Sequence, residues 1–287
     1  MPAVPRHSSV KCITPSGFHR MAYVEWGDPA NPRVLVCAHG LTRTGRDFDD
    51  LAAALAPHYR VVCPDVAGRG ASEWLRNPME YQVPVYAADM VALIARLGVE
   101  EVHWVGTSMG GLIGMTLACL PGSPVTRLVL NDVGPVVSGA SLKRIAAYVG
   151  KAPIFPAFAA AEAYVRVVSA PFGPHSDEQW RRLTEHVVRR DADGRYRMHY
   201  DPALAVPFAQ DDNGKDMALW PYYDAIRCPV LLTRGAESDL LTHATAQAMC
   251  GRGPKAKLVE FAGVGHAPTF MHADQIAAVK SFLLDNN

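Results

Sequence analysis

Short runs of unbroken hydrophobic residues recur along the chain, separated by stretches whose apolar positions return every three or four residues. Val34-Leu35-Val36-Cys37-Ala38, Val61-Val62-Cys63-Pro64, Val102-His103-Trp104-Val105, Arg127-Leu128-Val129-Leu130, Pro229-Val230-Leu231-Leu232-Thr233 and Lys257 to Phe261 read as strands. Continuous hydrophobicity, rather than alternation, is what a strand covered on both faces requires. Between them, Phe48 to Ala56 carries Phe48, Leu51 and Leu55 at helical spacing. Tyr86 to Leu97 is closed by Gly98 as a C-cap, and Gly110 to Leu120, His243 to Met249 and Asp274 to Leu284 also read as helices. Ahead of this series, Val10 to Thr14 and His19 to Trp26 form two strands joined by the turn Pro15-Ser16-Gly17, an antiparallel addition to one edge. The pattern predicts an α/β protein with a mostly parallel eight-stranded sheet and helices on both faces.

The rhythm breaks at Asp132. From 136 to 223 the chain offers helical stretches at Leu142 to Val149, Phe158 to Val168 and Asp177 to Arg189, punctuated by Pro153, Pro156, Pro171, Pro174, Pro202 and Pro207, with no strong strand run. Because the sheet rhythm resumes at Pro229, residues 136–223 are expected to be a helical cap inserted into a core made of 1–135 and 224–287.

Composition narrows the picture. The 287 residues are 49% hydrophobic, enough for a large core without staples, and 28 Lys plus Arg balance 28 Asp plus Glu. The basic residues are scattered, so no nucleic-acid or anionic-membrane surface is expected. No apolar stretch approaches the roughly 18 residues of a membrane span, and the opening Met1-Pro2-Ala3-Val4-Pro5-Arg6-His7 lacks the order of a signal peptide. Six cysteines contain no C-x-x-C pair, and Cys37, Cys63 and Cys228 lie in apolar runs. They read as reduced core residues of a cytoplasmic protein, with no metal site.

The candidate chemistry centres on Gly106-Thr107-Ser108-Met109-Gly110, a G-x-S-x-G placed between an apolar strand and an apolar helix. A sharp turn there exposes the Ser108 hydroxyl above the sheet, small neighbours permit the turn, and the new helix directs free N–H groups toward developing negative charge. A serine hydroxyl needs a base, and His266, in Gly263-Val264-Gly265-His266-Ala267-Pro268 after the last strand, is the candidate. Among the other histidines, His103 lies in a core strand, whereas His7, His175, His186 and His199 look solvated or cap-related. The orienting acid should lie between serine and histidine in chain order. Asp239, in Arg234-Gly235-Ala236-Glu237-Ser238-Asp239, precedes His266 by 27 residues and is the expected acid; Asp132, ending an earlier strand, is its rival.

Together with His39-Gly40 and Gly68-Arg69-Gly70-Ala71-Ser72, these motifs resemble the α/β-hydrolase superfamily over essentially the whole chain from about residue 10. The nearest resemblance is to small bacterial carboxylesterases, enol-lactonases and ring-cleavage-product hydrolases. The resemblance implies that the amides of Leu41 and Met109 form an oxyanion hole, with His39 buttressing its loop. It favours Asp239 as the acid, although in some relatives the acid follows the strand that carries Asp132. The implied function is hydrolysis of a small carboxylic ester or lactone through an acyl-enzyme, with no cofactor and with substrate choice residing in the cap. Tyr148, Phe158, Tyr164, Phe172 and Trp180 are candidate pocket aromatics there. Two alternatives keep the scaffold: cleavage of a carboxylated amide or of a C–C bond in a ring-cleavage product, with Arg144, Arg166 or Arg181 holding the acid group. A third is a ligand receptor that keeps the triad.

Overall fold

The computed structural model describes residues 4–210 and 216–285. Two long strands open the chain, β1 (Arg6–Thr14) and β2 (Gly17–Trp26), followed by β3 (Val34–Ala38), α1 (Asp49–Leu55), β4 (Arg60–Pro64), α2 (Val83–Leu97), β5 (Val102–Thr107), α3 (Met109–Ala118) and β6 (Val125–Asn131). The inserted segment holds β7 (Val136–Val137), α4 (Gly139–Tyr148), β8 (Ile154–Phe155), α5 (Phe158–Val168), α6 (Asp177–Glu185), β9 (Val188–Arg190), β10 (Tyr196–Met198), α7 (Val206–Gln210) and β11 (Met217–Ala218). Then come α8 (Trp220–Ala225), β12 (Val230–Gly235), α9 (His243–Gly251), β13 (Lys257–Phe261) and α10 (Ala273–Leu284).

The main sheet has eight strands in the order β1-β2-β4-β3-β5-β6-β12-β13. β2 runs antiparallel to β1 and to β4, and all pairings from β4 to β13 are parallel. Side chains alternate between two cores. In β3, Val34, Val36 and Ala38 enter the larger core with Trp104, Leu128, Leu130 and Leu232, whereas Leu35 and Cys37 enter a smaller one with Val105, Val129 and Leu231. The larger core is covered by α2, α3, α8 and α9, the smaller by α1 and α10, which explains why the strands lack polar alternation.

Chain order reverses at β3, whose neighbours are β4 on one side and β5 on the other. The carboxyl ends of β3 and β5 therefore flank a topological switch point, where open α/β sheets leave a crevice. Leu41 and Ser108 follow those two strand ends directly.

The insertion departs from an all-helical cap. β8, β10 and β9 form a small antiparallel sheet, and the helix expected to continue to Arg189 stops at Glu185. Val187 and Val188 pack instead with Phe155, Ala161 and Val165. Asp191 and Gly194 then turn the chain, with Gly194 N–H donating to the Asp191 carbonyl. β7 and β11 pair antiparallel and clamp the two ends of the insertion together. α8, expected to lie in the cap, belongs to the core: Tyr223 is fully buried and its hydroxyl donates to the Met249 carbonyl.

Candidate active site

The elbow after β5 is built by close packing. A Cβ on Gly106 would stand 2.2 Å from the Gly110 carbonyl oxygen, and one on Gly110 would stand 2.0 Å from that of Ala38. With both positions bare, α3 can start hard against β3 and Ser108 takes φ 53° and ψ −115°. That conformation costs a non-glycine residue on the order of 1–3 kcal/mol and is held by the surrounding contacts.

Ser108 Oγ lies 3.0 Å from His266 Nε2, and His266 Nδ1 lies 2.7 Å from Asp132 Oδ2. An aspartate oxygen accepts, so Nδ1 carries the proton and Nε2 is left to accept from the serine hydroxyl. Asp132 is fully buried and itself has φ 54°. Its carboxylate also accepts from Gly235 N–H at 2.9 Å and from the Ser238 hydroxyl at 2.6 Å. Three donors thus converge on Asp132.

Asp239 must be corrected as the acid. Its side chain is 58% exposed and pairs with Arg144. The loop after β12 turns immediately, with Ser238 N–H bonded to the Gly235 carbonyl, and this presents Ser238 inward and Asp239 outward. β6 lies beside β5, and Asp132, the residue that follows β6, is the one that meets the histidine.

Two residues not singled out from sequence support this chain of bonds. Ser238 is one. The other is Asn131, the only polar side chain closing the run Leu128-Val129-Leu130: its amide donates to Thr107 Oγ1 at 2.9 Å and to the Pro268 carbonyl at 2.8 Å, and its oxygen accepts from Thr233 Oγ1 at 2.8 Å. It ties the β5 end, β12 and the histidine loop together. A lone amide at the end of an apolar strand was the available signal.

Met109 opens α3 directly after Ser108, so its N–H has no intrahelical acceptor. Leu41 N–H takes no protein acceptor among the described residues. The Gly40–Leu41 peptide is oriented from its carbonyl end: Gly40 O accepts from His39 Nδ1 at 2.7 Å and from Arg43 N–H at 3.2 Å. His39 Nε2 accepts in turn from Val66 N–H at 2.9 Å. Both ring nitrogens are committed in the neutral form, and burial pushes the imidazole down to about 4.

The insertion reaches this edge of the sheet directly. Gly265 N–H donates to the Pro171 carbonyl at 2.7 Å, and His175 Nε2 meets Thr269 Oγ1 at 2.9 Å. Phe172 lies under the Arg43 guanidinium and Trp180 packs on His175. Phe158 and Tyr164 instead pack against Tyr196 and Phe155 within the insertion, and Tyr148 is over a third exposed. Arg144, Arg166 and Arg181 each pair with carboxylates of the protein: Asp239; Glu162 and Asp177; and Glu185. Ligand-type atoms of Cys12, His19 and Asp89 come within 4.8 Å of one another, but under α2 rather than at this edge, and His19 Nε2 is bonded to Asp89 at 2.9 Å.

A strand–serine–helix elbow, a histidine after the last strand and a buried aspartate define a hydrolase site. The model of the α/β-hydrolase fold matches residues 33–273, and the chain belongs to that family and is a hydrolase. A 3-hydroxybutyrate-oligomer hydrolase of Cupriavidus necator is 55% identical over 98% of this chain and 99% of its own. Among solved structures, a putative hydrolase from Rickettsia typhi superposes with a TM-score of 0.90 at 34% identity, covering 97% of this chain and 98% of that one. An α/β hydrolase from Novosphingobium aromaticivorans reaches 0.86 at 37% identity, covering 98% of each chain. No helix among the described residues is long and apolar enough to cross a membrane.

Proposed function

We propose that this protein is a serine esterase that cleaves short oligomers of 3-hydroxybutyrate through an acyl-enzyme. The observation that carries the reading is the unbroken chain Ser108 Oγ–His266–Asp132. Ser108 attacks the ester carbonyl while His266 Nε2 takes its proton. Asp132 holds the ring in the productive tautomer and stabilises the imidazolium. The tetrahedral oxygen sits between the N–H groups of Leu41 and Met109. His266 then returns the proton to the departing alcohol, the hydroxyl end of the remaining oligomer. Water enters by the same base, and a hydroxy acid leaves.

The substrate class is supported by the Cupriavidus relative, whose similarity extends across the insertion as well as the core. A lactone would present the same carbonyl to the same serine. The pairing of Arg144, Arg166 and Arg181 with carboxylates of the protein argues against their holding a substrate acid group in an amide or C–C hydrolase. All six cysteines are unpaired, which supports a reducing, cytoplasmic setting.

The test is release of 3-hydroxybutyrate from its dimer and trimer, with small lactones and aryl esters as competitors. Repeated turnover of the oligomers, lost in Ser108→Ala, is the expected result. Release that stops after about one equivalent would point to a receptor.

A further inference from the structure

Arg69 is among the largest fully buried side chains, and no carboxylate lies within ion-pair distance of it among the described residues. An uncompensated buried cation is expensive, so its surroundings must supply hydrogen bonds. Four of them are present. Nε donates to the Leu41 carbonyl at 2.8 Å; one terminal nitrogen donates to the Ala67 carbonyl at 2.6 Å and to Tyr86 Oη at 2.9 Å; the other donates to Met109 Sδ at 3.2 Å. The guanidinium also lies over the rings of Tyr86, at 4.9 Å, and Tyr81, at 5.8 Å.

Two of these bonds end on Leu41 and Met109, the residues whose amides the proposed mechanism assigns to the oxyanion. We propose that Arg69 is a positioning residue that sets both halves of the oxyanion hole from one rigid, charged fork; this rests on the serine-hydrolase reading above. Leu41 then has both flanking peptides pinned, the preceding one by His39 and Arg43 at the Gly40 carbonyl and the following one by Arg69 at its own carbonyl. The Leu41 N–H lies in the plane of the preceding peptide, and the Arg69 bond on the following one restrains rotation about Leu41 and so keeps this loop seated against Ser108. Met109, at the start of α3, is held through its sulfur by the same group. Arg69 makes no direct ion pair among the described residues, so its charge also favours an oxyanion nearby, where low dielectric strengthens the interaction. The backbone of this residue bridges to Tyr200 of the insertion, flanked by Gly70 N–H to the His199 carbonyl and Asp201 N–H to the Gly68 carbonyl, each 2.8 Å. Seating of the insertion therefore bears on the same side chain that aligns the hole.

The experiment compares Arg69→Met and Arg69→Lys with the unsubstituted enzyme, reading kcat, KM, the affinity of an alkyl boronic acid that forms a tetrahedral adduct on Ser108, and inhibition by 3-hydroxybutyrate. Arg69→Met should lower kcat by about 10²-fold with KM changed by less than about threefold, and boronate affinity should fall in step with kcat/KM while product inhibition is unchanged. Arg69→Lys, which keeps charge but not the fork, should fall between, and it decides the matter if the methionine variant does not fold. Values of kcat within about twofold of normal in both variants, or boronate and product affinities weakened equally, would overturn the role. If the unsubstituted enzyme itself does not bind boronate at Ser108, the serine-hydrolase reading fails and the Arg69 role with it. Normal boronate binding that is insensitive to either substitution removes the Arg69 role alone.

Discussion

Asp132 is where single residues make their sharpest prediction. Its carboxylate gathers Gly235 N–H, the Ser238 hydroxyl and His266 Nδ1. Asp132→Asn presents an amide that can donate, which favours the wrong imidazole tautomer, and kcat should fall on the order of 10⁴-fold. Asp239→Asn removes only an exposed ion pair with Arg144 and should leave kcat within about threefold. A greater loss for Asp239→Asn in a parallel ester assay would reverse the assignment. His39 yields a prediction about stability. Its folded value is about 4 against 6.5 for the free ring, so the unfolded chain binds a proton that the folded chain refuses. Stability from this group is therefore intact above about pH 6.5 and declines by about 3 kcal/mol as pH falls to 4. Urea unfolding of His39→Asn should lose correspondingly less than the unsubstituted protein between pH 7 and 4.5, and equal losses would contradict the neutral buried imidazole. Ser108 and His266 were legible in the sequence because small glycine-flanked motifs sit at strand ends. The acid was not. Both aspartates follow a strand, and only the inward turn of Ser238 decides which one meets the ring.

At the scale of elements, the elbow depends on how near α3 stands to β3. Gly110→Ala puts a methyl group 2.0 Å from a backbone oxygen that cannot swing away. The helix must shift, which should destabilise the protein by about 1–3 kcal/mol and draw Met109 N–H off its station, lowering kcat more than KM. Unchanged melting temperature and kcat would show that α3 has slack. The inner strands β3 and β4 were legible because burial on both faces leaves no polar interruption to mistake for a helix. The small sheet of β8, β9 and β10 was not. Strands of two or three residues carry too few positions for a period, and Val187-Val188 reads equally well as the end of a helix. The turn Asp191-Ala192-Asp193-Gly194 was the signal that could have located that hairpin.

Across the whole molecule, the insertion lies over the carboxyl edge of the sheet and is bonded both to the segment from β3 into α1 and to the histidine loop. Thr44 Oγ1 donates to the His186 carbonyl, Arg182 pairs with Asp50, and the Pro171 carbonyl receives Gly265 N–H one residue before His266. The loop that carries His266 and the insertion thus share one boundary, and on the proposed reading this is where discrimination among substrates belongs. All of it presupposes that Ser108 is the nucleophile. The most direct measurement is labelling with an alkyl fluorophosphonate while hydrolysis of the 3-hydroxybutyrate trimer is followed in the same sample. Activity should vanish in proportion to one phosphonyl group per chain, found on the peptide that carries Ser108, and Ser108→Ala should take up none and hydrolyse none. Trimer hydrolysis that persists after full labelling of Ser108, or in Ser108→Ala, would contradict that role for Ser108.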